Sequence, residues 1–165
     1  MKPKTVGQKD GVFVIVPQSD ATGLMARSII MTMKGETRVE ELRAGDRIIT
    51  RDSGMAVLKA IKSRRVSTRA VRIKAGSLGH TRPDCDTTLP AGQPVLIRDW
   101  RAEAIFGQKQ AMVAAHRLQD GEFITLHDDT TMTVYELHFD APHILYVDGL
   151  EVASGPVDAT ISKAA

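Results

Sequence analysis

The stretch GLMARSIIMTMKGETRVEELRAGDRIIT, residues 23–50, decides the reading of this chain. Its apolar run SIIMTM (28–33) is short and closes on Gly35, the pattern of a strand running into a turn. Thr37 with Glu40 three residues later matches a capping box, in which a hydroxyl and a carboxylate each take a backbone N–H at a helix start. Gly45 then stops that predicted helix after about two turns, because glycine tolerates the left-handed conformation found past helix ends. DRIITRD (46–52) alternates apolar with polar residues and ends at Ser53-Gly54, so it reads as the next strand.

The same grammar continues in both directions. Val12–Val16, closed by Pro17, reads as a strand. AVLKAI (56–61) and AVRIKA (70–75) alternate apolar with basic residues and predict two strands, each buried on one face. Residues 76–92, with three Gly and two Pro, predict a long loop. PVLIRD (94–99) is the next strand, and 102–119 hold the longest helical pattern, weakened by about 1 kcal/mol at Gly107. FITLH (123–127), MTVYELHF (132–139) and HILYV (143–147) add three strands, and DGLEVA (148–153) closes the ordered region. About nine short strands and one to three short helices predict a mostly-β domain, closed or strongly curved so as to hide its edges. The polar start and the small, polar end suggest an N-terminal extension with a short strand (1–21), a domain (22–154) and a flexible tail (155–165).

A chain of 165 residues suits one domain. With 42% hydrophobic and 25% charged residues it is ordinary globular material rather than a disordered chain. The one cysteine, Cys85, excludes an internal disulfide framework and a multi-cysteine metal site. His116, His127 and His138 show no paired ligand spacing, so neither a metal nor a cofactor is expected. Aromatic residues are 4%, too few for a stacking platform that holds single-stranded nucleic acid. No apolar stretch approaches the roughly 20 residues that span a bilayer, and VFVIV is too short for a signal-peptide core. The expectation is a protein without membrane contact, cytoplasmic by default, with signal-independent export left open. The net charge of +2 hides a split: residues 1–80 carry 16 Lys/Arg against 7 Asp/Glu, and residues 81–165 carry 6 against 13. Such a split makes either a bipolar surface or two halves that attract each other.

Three blocks in fixed order carry a resemblance to the Hint superfamily, the Hedgehog/intein autoprocessing domains. The first is residues 23–50, where Ser28-Ile29-Ile30, Gly35, Val39-Glu40-Glu41-Leu42 and Gly45-Asp46-Arg47-Ile48-Ile49 fit the family's opening layout. The second, LPAGQPVLIRD (89–99), looks like its Thr-x-x-His block followed by Pro and an apolar strand. The third, TVYELHFDAPHILYVDGLEVAS (133–154), is similar to the closing block, with Tyr135-Glu136-Leu137, His143 and Gly149-Leu150 at the family's spacing. QAMVAAHRLQDG (110–121) resembles a bacterial subset in which a strand leads to an Ala-x-x-Leu piece and a turn. The resemblance implies a compact, horseshoe-like, all-β fold with pseudo-twofold halves, whose two ends meet at a reactive pocket. It also implies chemistry: an N-to-S or N-to-O acyl shift, which needs a nucleophile at the first residue and donors that polarise the scissile amide.

The departures from the family pattern fall on those groups. Gly23 stands at the nucleophile position and has no side chain. Pro90 and Gln93 stand at the Thr-x-x-His positions; Pro90 has no hydroxyl, and Gln93 is neither acid nor base near neutral pH. Ala153-Ser154 replaces the terminal His-Asn pair, so the asparagine cyclisation that completes splicing is not expected. Thr22, one position away, and Ser28, which matches the family's Gly-Thr/Ser step, are the hydroxyls that could serve instead, and Cys85 lies in the long loop, its thiol buried or inert on the plainer reading. His143 is either the family's proton carrier or a strand histidine bonded to backbone. Thr22, Gly23, Ser28, Gln93 and His143 are therefore the candidate pocket positions. The expectation is a degenerate autoprocessing domain, not an enzyme, acting as a binding or interaction module for an unknown protein or acidic surface. The alternatives are autoproteolysis from Thr22 or Ser28, and a nucleic-acid-binding β-module. The last would use Lys59, Lys62, Arg64, Arg65, Arg69, Arg72 and Lys74, seven bases with no acid among them. The plainer readings of that run are a solvated strand face, or pairing with acids of the C-terminal half such as Asp128-Asp129.

Overall fold

The computed structural model describes residues 20–154, together with the backbone of two strands ahead of them, β1 (Thr5–Lys9) and β2 (Val12–Ile15). These two pair antiparallel as a separate hairpin. Val16, Pro17 and the predicted tail lie outside the described residues. Twelve further strands follow: β3 (Leu24–Met25), β4 (Ile29–Thr32), β5 (Gly35–Arg38), β6 (Arg47–Thr50), β7 (Gly54–Val57), β8 (Ala60–Ile73), β9 (Thr87–Pro90), β10 (Pro94–Ile97), β11 (Ala111–Ala114), β12 (Ile124–His138), β13 (Ile144–Val147) and β14 (Leu150–Ala153). One α-helix, α1 (Trp100–Phe106), and two 3-10 turns (Val39–Glu41 and Ala115–Leu118) complete them. The expectation of a mostly-β fold with few helices holds.

The strands form an eight-stranded sheet in the order β11-β10-β14-β13-β4-β6-β7, with β5 added on β4, and a four-stranded sheet in the order β3-β12-β8-β9. One core fills the space they enclose. Ile30, Ile48, Leu58, Ile73, Leu89 and Leu145 are among its largest fully buried side chains. The period-2 pattern puts them there: in β4, Ile30 is buried while Met31 beside it is exposed, and in β6 Ile48 is buried while Arg47 is exposed.

Local structure differs from the sequence reading in four places. The capping box does not form. Thr37 sits inside β5, and the Glu40 carboxylate accepts the N–H of Arg27 (2.8 Å) instead of capping its own turn. Only the 3-10 turn Val39–Glu41 is left of the predicted helix. The two strands predicted at 56–61 and 70–75 belong to β7 and to a single 14-residue strand, β8. FITLH and MTVYELHF likewise merge into β12, which pairs with β8 along its whole length apart from a bulge between His127 and Thr130. The pairs Ser67↔Thr131 and Arg65↔Thr133 line one face of the ribbon's middle with polar residues, while Met132, Val134 and the half-buried Val66 pack on the other. The predicted helix over 102–119 stops at Gly107, and its apolar continuation AMVA is the buried strand β11. That continuation, followed by the turn Ala115–Leu118, is the arrangement the resemblance implied. Finally, the loop predicted at 76–92 contains β9.

The two oppositely charged halves pair within the chain. Arg64 meets Glu136 (3.3 Å), Arg72 meets Asp86 (3.4 Å) and Lys59 meets Asp140 (3.6 Å). The densest cluster surrounds buried Glu151 on β14. Arg98 donates to it at 2.7 Å, with Arg51 at 2.9 Å and Arg82 at 3.3 Å. Burial together with the neighbouring guanidiniums Arg98 and Arg51 holds the Arg82 pKa below its ordinary value, against the pull of Glu151 and Asp99. No helix among the described residues is long and apolar enough to cross a membrane.

Candidate functional site

Thr22 and Ser154, close to the two ends of the described domain, line the same cleft. The cleft has a volume of about 390 Å³ and is lined by Thr22, Gly23, Gln93, His138, Phe139 and Ser154 among others. Its centre is Gln93, 2% exposed. The Gln93 side-chain oxygen accepts the N–H of Gly23 at 2.8 Å. Its amide nitrogen donates to the carbonyl of Ala153 at 2.8 Å and to that of Pro94 at 3.1 Å. One neutral side chain thus ties the start of β3 to the end of β14. All its strong groups are engaged, so it has no proton to give or take at neutral pH.

Gly23 contributes more than the loss of a side chain. Its φ of +124° lies where L-residues are strained, and a Cβ built on it would stand 3.1 Å from the carbonyl oxygen of Tyr135 and from Cβ of Val134. The backbone is seated against β12 too closely for a nucleophile to be carried there without movement.

The residues just upstream are fastened as well. Ala21 donates its N–H to the Thr68 hydroxyl (2.9 Å), and its carbonyl accepts the N–H of Gly92 (3.0 Å). A Cβ at Gly92 would stand 2.8 Å from that same carbonyl oxygen, so only glycine lets the incoming strand come this close. Asp20 receives the Arg69 guanidinium through both carboxylate oxygens, Nε at 2.8 Å. That guanidinium holds the Asp20 carboxyl below its usual range, and Arg69 is raised in turn. His116, on the second 3-10 turn, borders the pair; burial pushes its pKa down although Asp20 pulls it up. The Gly92 loop is braced by Ala91 N–H to the Arg69 carbonyl (2.9 Å) and His116 N–H to the Ala91 carbonyl (3.0 Å).

The candidate positions separate accordingly. Thr22, Gly23 and Gln93 converge in the cleft. Ser28 is buried outside it, its N–H donating to the Met25 carbonyl and its own carbonyl accepting from Val39. The His143 ring turns away from the cleft. Its Nδ1 lies 2.9 Å from Asp52 and its ring meets Phe139 edge-on, while its backbone N–H donates to the Ser154 hydroxyl at 2.9 Å. Pro90 is buried in β9. Cys85 is exposed rather than buried and lies outside this cleft.

The seven basic residues do not share one face. Arg64 and Arg65 alternate across β8, while Lys59, Arg64, Arg69 and Arg72 are ion-paired with Asp140, Glu136, Asp20 and Asp86. Of the two acids named from sequence, Asp128 lies near enough to Arg69 to favour its charge; the Asp129 side chain is outside the described residues. No group of three or more His, Cys, Asp or Glu among the described residues is arranged to hold a metal ion. Sequence reasoning missed Asp20 and Asp52, whose partners Arg69 and His143 lie 49 and 91 residues away in the chain, and did not place His138 in the cleft. Gly92 could have been flagged, since a glycine in a turn between two strands often marks close approach.

A family model described as a Hint domain matches residues 22–155. Among solved structures, a bacterial intein-like domain from Clostridium thermocellum superposes with a TM-score of 0.59 at 19% identity, covering 81% of this chain and 97% of that one. The TvoVMA intein gives 0.59 at 11% identity over 82% of this chain and 98% of its own. A DnaB intein from Synechocystis sp. PCC 6803 gives 0.52 at 14% identity over 82% and 100%. These likenesses concern the fold. Comparison with curated proteins gives no match.

Proposed function

This chain belongs to the Hint domain family, and on that premise we propose that it is an autoprocessing scaffold without autoprocessing: a domain that holds its two ends together uncleaved and serves as a binding or interaction module. The observation that carries this reading is the Gln93 bridge. An acyl shift at Gly23 needs an attacking oxygen or sulfur on that residue and an acid to protonate the departing nitrogen. Gly23 offers no such atom, and the group bonded to its nitrogen is a carboxamide already committed on both sides. The terminal Ser154 has no carboxamide with which to cyclise, and its hydroxyl accepts the His143 N–H. In this reading residues 22–154 are the functional unit, 1–21 an extension and 155–165 a tail, in a cytoplasmic setting.

The test is the intact mass of purified protein, incubated alone, with a thiol and with hydroxylamine. One species in all three supports the reading; two fragments overturn it. The rival from the enzyme class is favoured by one fact, that Thr22 lines the same cleft. If fragments form and Thr22→Ala prevents them, Thr22 is a displaced nucleophile.

A further inference from the structure

A second depression, of about 430 Å³, opens away from Gln93. Ile29, Met31, Ile49 and Tyr146 supply its apolar surface, and Glu36, Asp84 and Asp148 stand among them. It lies on the outer face of the eight-stranded sheet, because Met31 and Ile49 alternate with the core residues Ile30 and Ile48. The apolar surface continues sideways from this groove. Met55 on β7 lies opposite Ile49, and Val57 two residues on shares its face. Met55 is 41% and Val57 39% exposed, whereas Ala56 between them is buried. The stripe therefore runs out to the edge of the sheet, since β7 is the last strand in its order.

That edge is open in its backbone as well. Leu58 turns both its groups toward β6: its N–H donates to the Asp46 carbonyl (2.8 Å) and its carbonyl accepts the Gly45 N–H (2.7 Å). Antiparallel strands alternate these directions residue by residue. Ala56, opposite Ile48, hence also faces β6, and the N–H and C=O groups of Met55 and Val57 point out of the sheet. None of those four groups has a partner among the described residues. The sheet's other edges are protected. β11 is buried from Ala111 to Val113, and β5, added on β4, carries Glu36 and Arg38. β7 reads GMAV, with no charge and no proline. An edge without such protection is a template for another strand.

Symmetry decides which strand fits. A second β7 laid antiparallel about a twofold axis at Ala56 sets Met55 opposite the partner's Val57, and Val57 opposite the partner's Met55. Each such pair exchanges two N–H···O=C bonds, so all four outward groups of each copy are satisfied at once. The same register brings the apolar side chains of both copies together on one face. We propose that β7 is a self-association edge, through which two copies of this chain join their eight-stranded sheets into one. Four-residue strands cover well under the roughly 800 Å² per partner of a standard interface, so the dimer is weak, with a Kd on the order of 100 µM. The inference stands apart from the reading of the Gln93 cleft.

Sedimentation equilibrium of the full chain, from about 10 µM to about 1 mM, is expected to pass from monomer to mostly dimer. Over that range mass action should slow exchange of the Met55 and Val57 amides about fourfold and leave the distant Gly92 amide unchanged. Two variants test the register at positions exposed in the monomer. Met55→Lys/Val57→Lys sets like charges opposite each other across the axis, and that chain should stay monomeric. Met55→Glu/Val57→Lys sets opposite charges there and should associate at least about tenfold more tightly than the first. An unaltered chain that stays monomeric at the highest concentration overturns the proposal. So does a dimer whose Met55 and Val57 amides keep their monomer rate, or a pair of variants that associate alike. Slow exchange at those amides at every concentration would assign the edge to a segment of the same chain, and overturns it too.

Discussion

The junction at Gln93 and the groove at Met31 are both depressions of similar size, yet they are built in opposite ways. At the junction the polar groups of Gln93, Gly23, Ala21 and Asp20 are each matched to a partner. At the groove, the Glu36 and Asp84 carboxylates have none among the described residues, and the hydrophobic surface is open. A satisfied polar network holds one arrangement, since any loosening leaves buried groups unpaired. An unsatisfied surface gains by acquiring a neighbour. On the proposed function, the place that resembles a reaction centre does the work of a fastener.

Strand β14 links the two regions, running from the Asp148-Gly149 turn at the groove to Ala153 at the junction, with Glu151 between. Glu151→Ala should therefore damage both. It leaves three arginines around an empty buried site, and a loss of about 3–5 kcal/mol in denaturant unfolding is expected. Gln93→Ala should strike the junction alone. Removing the bridge leaves the Gly23 N–H and Ala153 carbonyl without their partner, about 1–3 kcal/mol for each buried group. Hydrogen exchange would then quicken at Gly23 and leave the Ile29 amide, beside the groove, unchanged. Gly23→Cys restores the family's thiol but places its Cβ against Tyr135 and Val134, at about 1–3 kcal/mol of strain. Its intact mass is expected to stay single; cleavage would show that geometry was never the obstacle.

Acid should separate the regions by sign. His116 has a lowered pKa, so the unfolded chain binds protons more readily and stability falls as pH drops below the ordinary histidine value of 6.5. Asp20, also lowered, contributes stability present above 3.8 that is lost as pH falls through its folded value. Asp148 is raised, so its burial penalty is relieved as pH falls toward 3.8. Exchange measured at pH 7 and pH 5 should show the Gly23 and Gly92 amides opening more easily in acid while the Ile29 amide does not. The smallest effect is Asp148→Asn. It keeps an acceptor for Ile29, removes a half-buried charge and suits the positive φ of 52°, so Tm should rise by about 2 °C.

Much of this was legible in the chain. The strands around Ile30, Ile48, Leu96 and Leu145 declare themselves by alternation or by short apolar runs between turn residues, and the three blocks point to the family. The full length of the β8–β12 ribbon was not legible, because the mostly polar stretch 62–69 of β8 reads as a connection until β12 is set beside it, residue 65 opposite residue 133. AMVAA reads equally as helix or buried strand, and only the neighbour β10 decides. At the junction, the convergence of Thr22, Gly23 and Gln93 could be expected from the resemblance. The clasp of Asp20 by Arg69 could not, since a basic run gives no sign of which of its members will find an acid 49 residues away.

Because Gly23 and Ala153 are bonded to one side chain, entry and exit of this domain lie a few ångströms apart. A polypeptide that passes through such a module returns to nearly the point it left. Inserted into a surface loop of another protein, it would hold the loop's two stems at the spacing of a tight turn and cost the host little closure entropy. The same bridge would then carry any tension between those stems, keeping it off the core behind it.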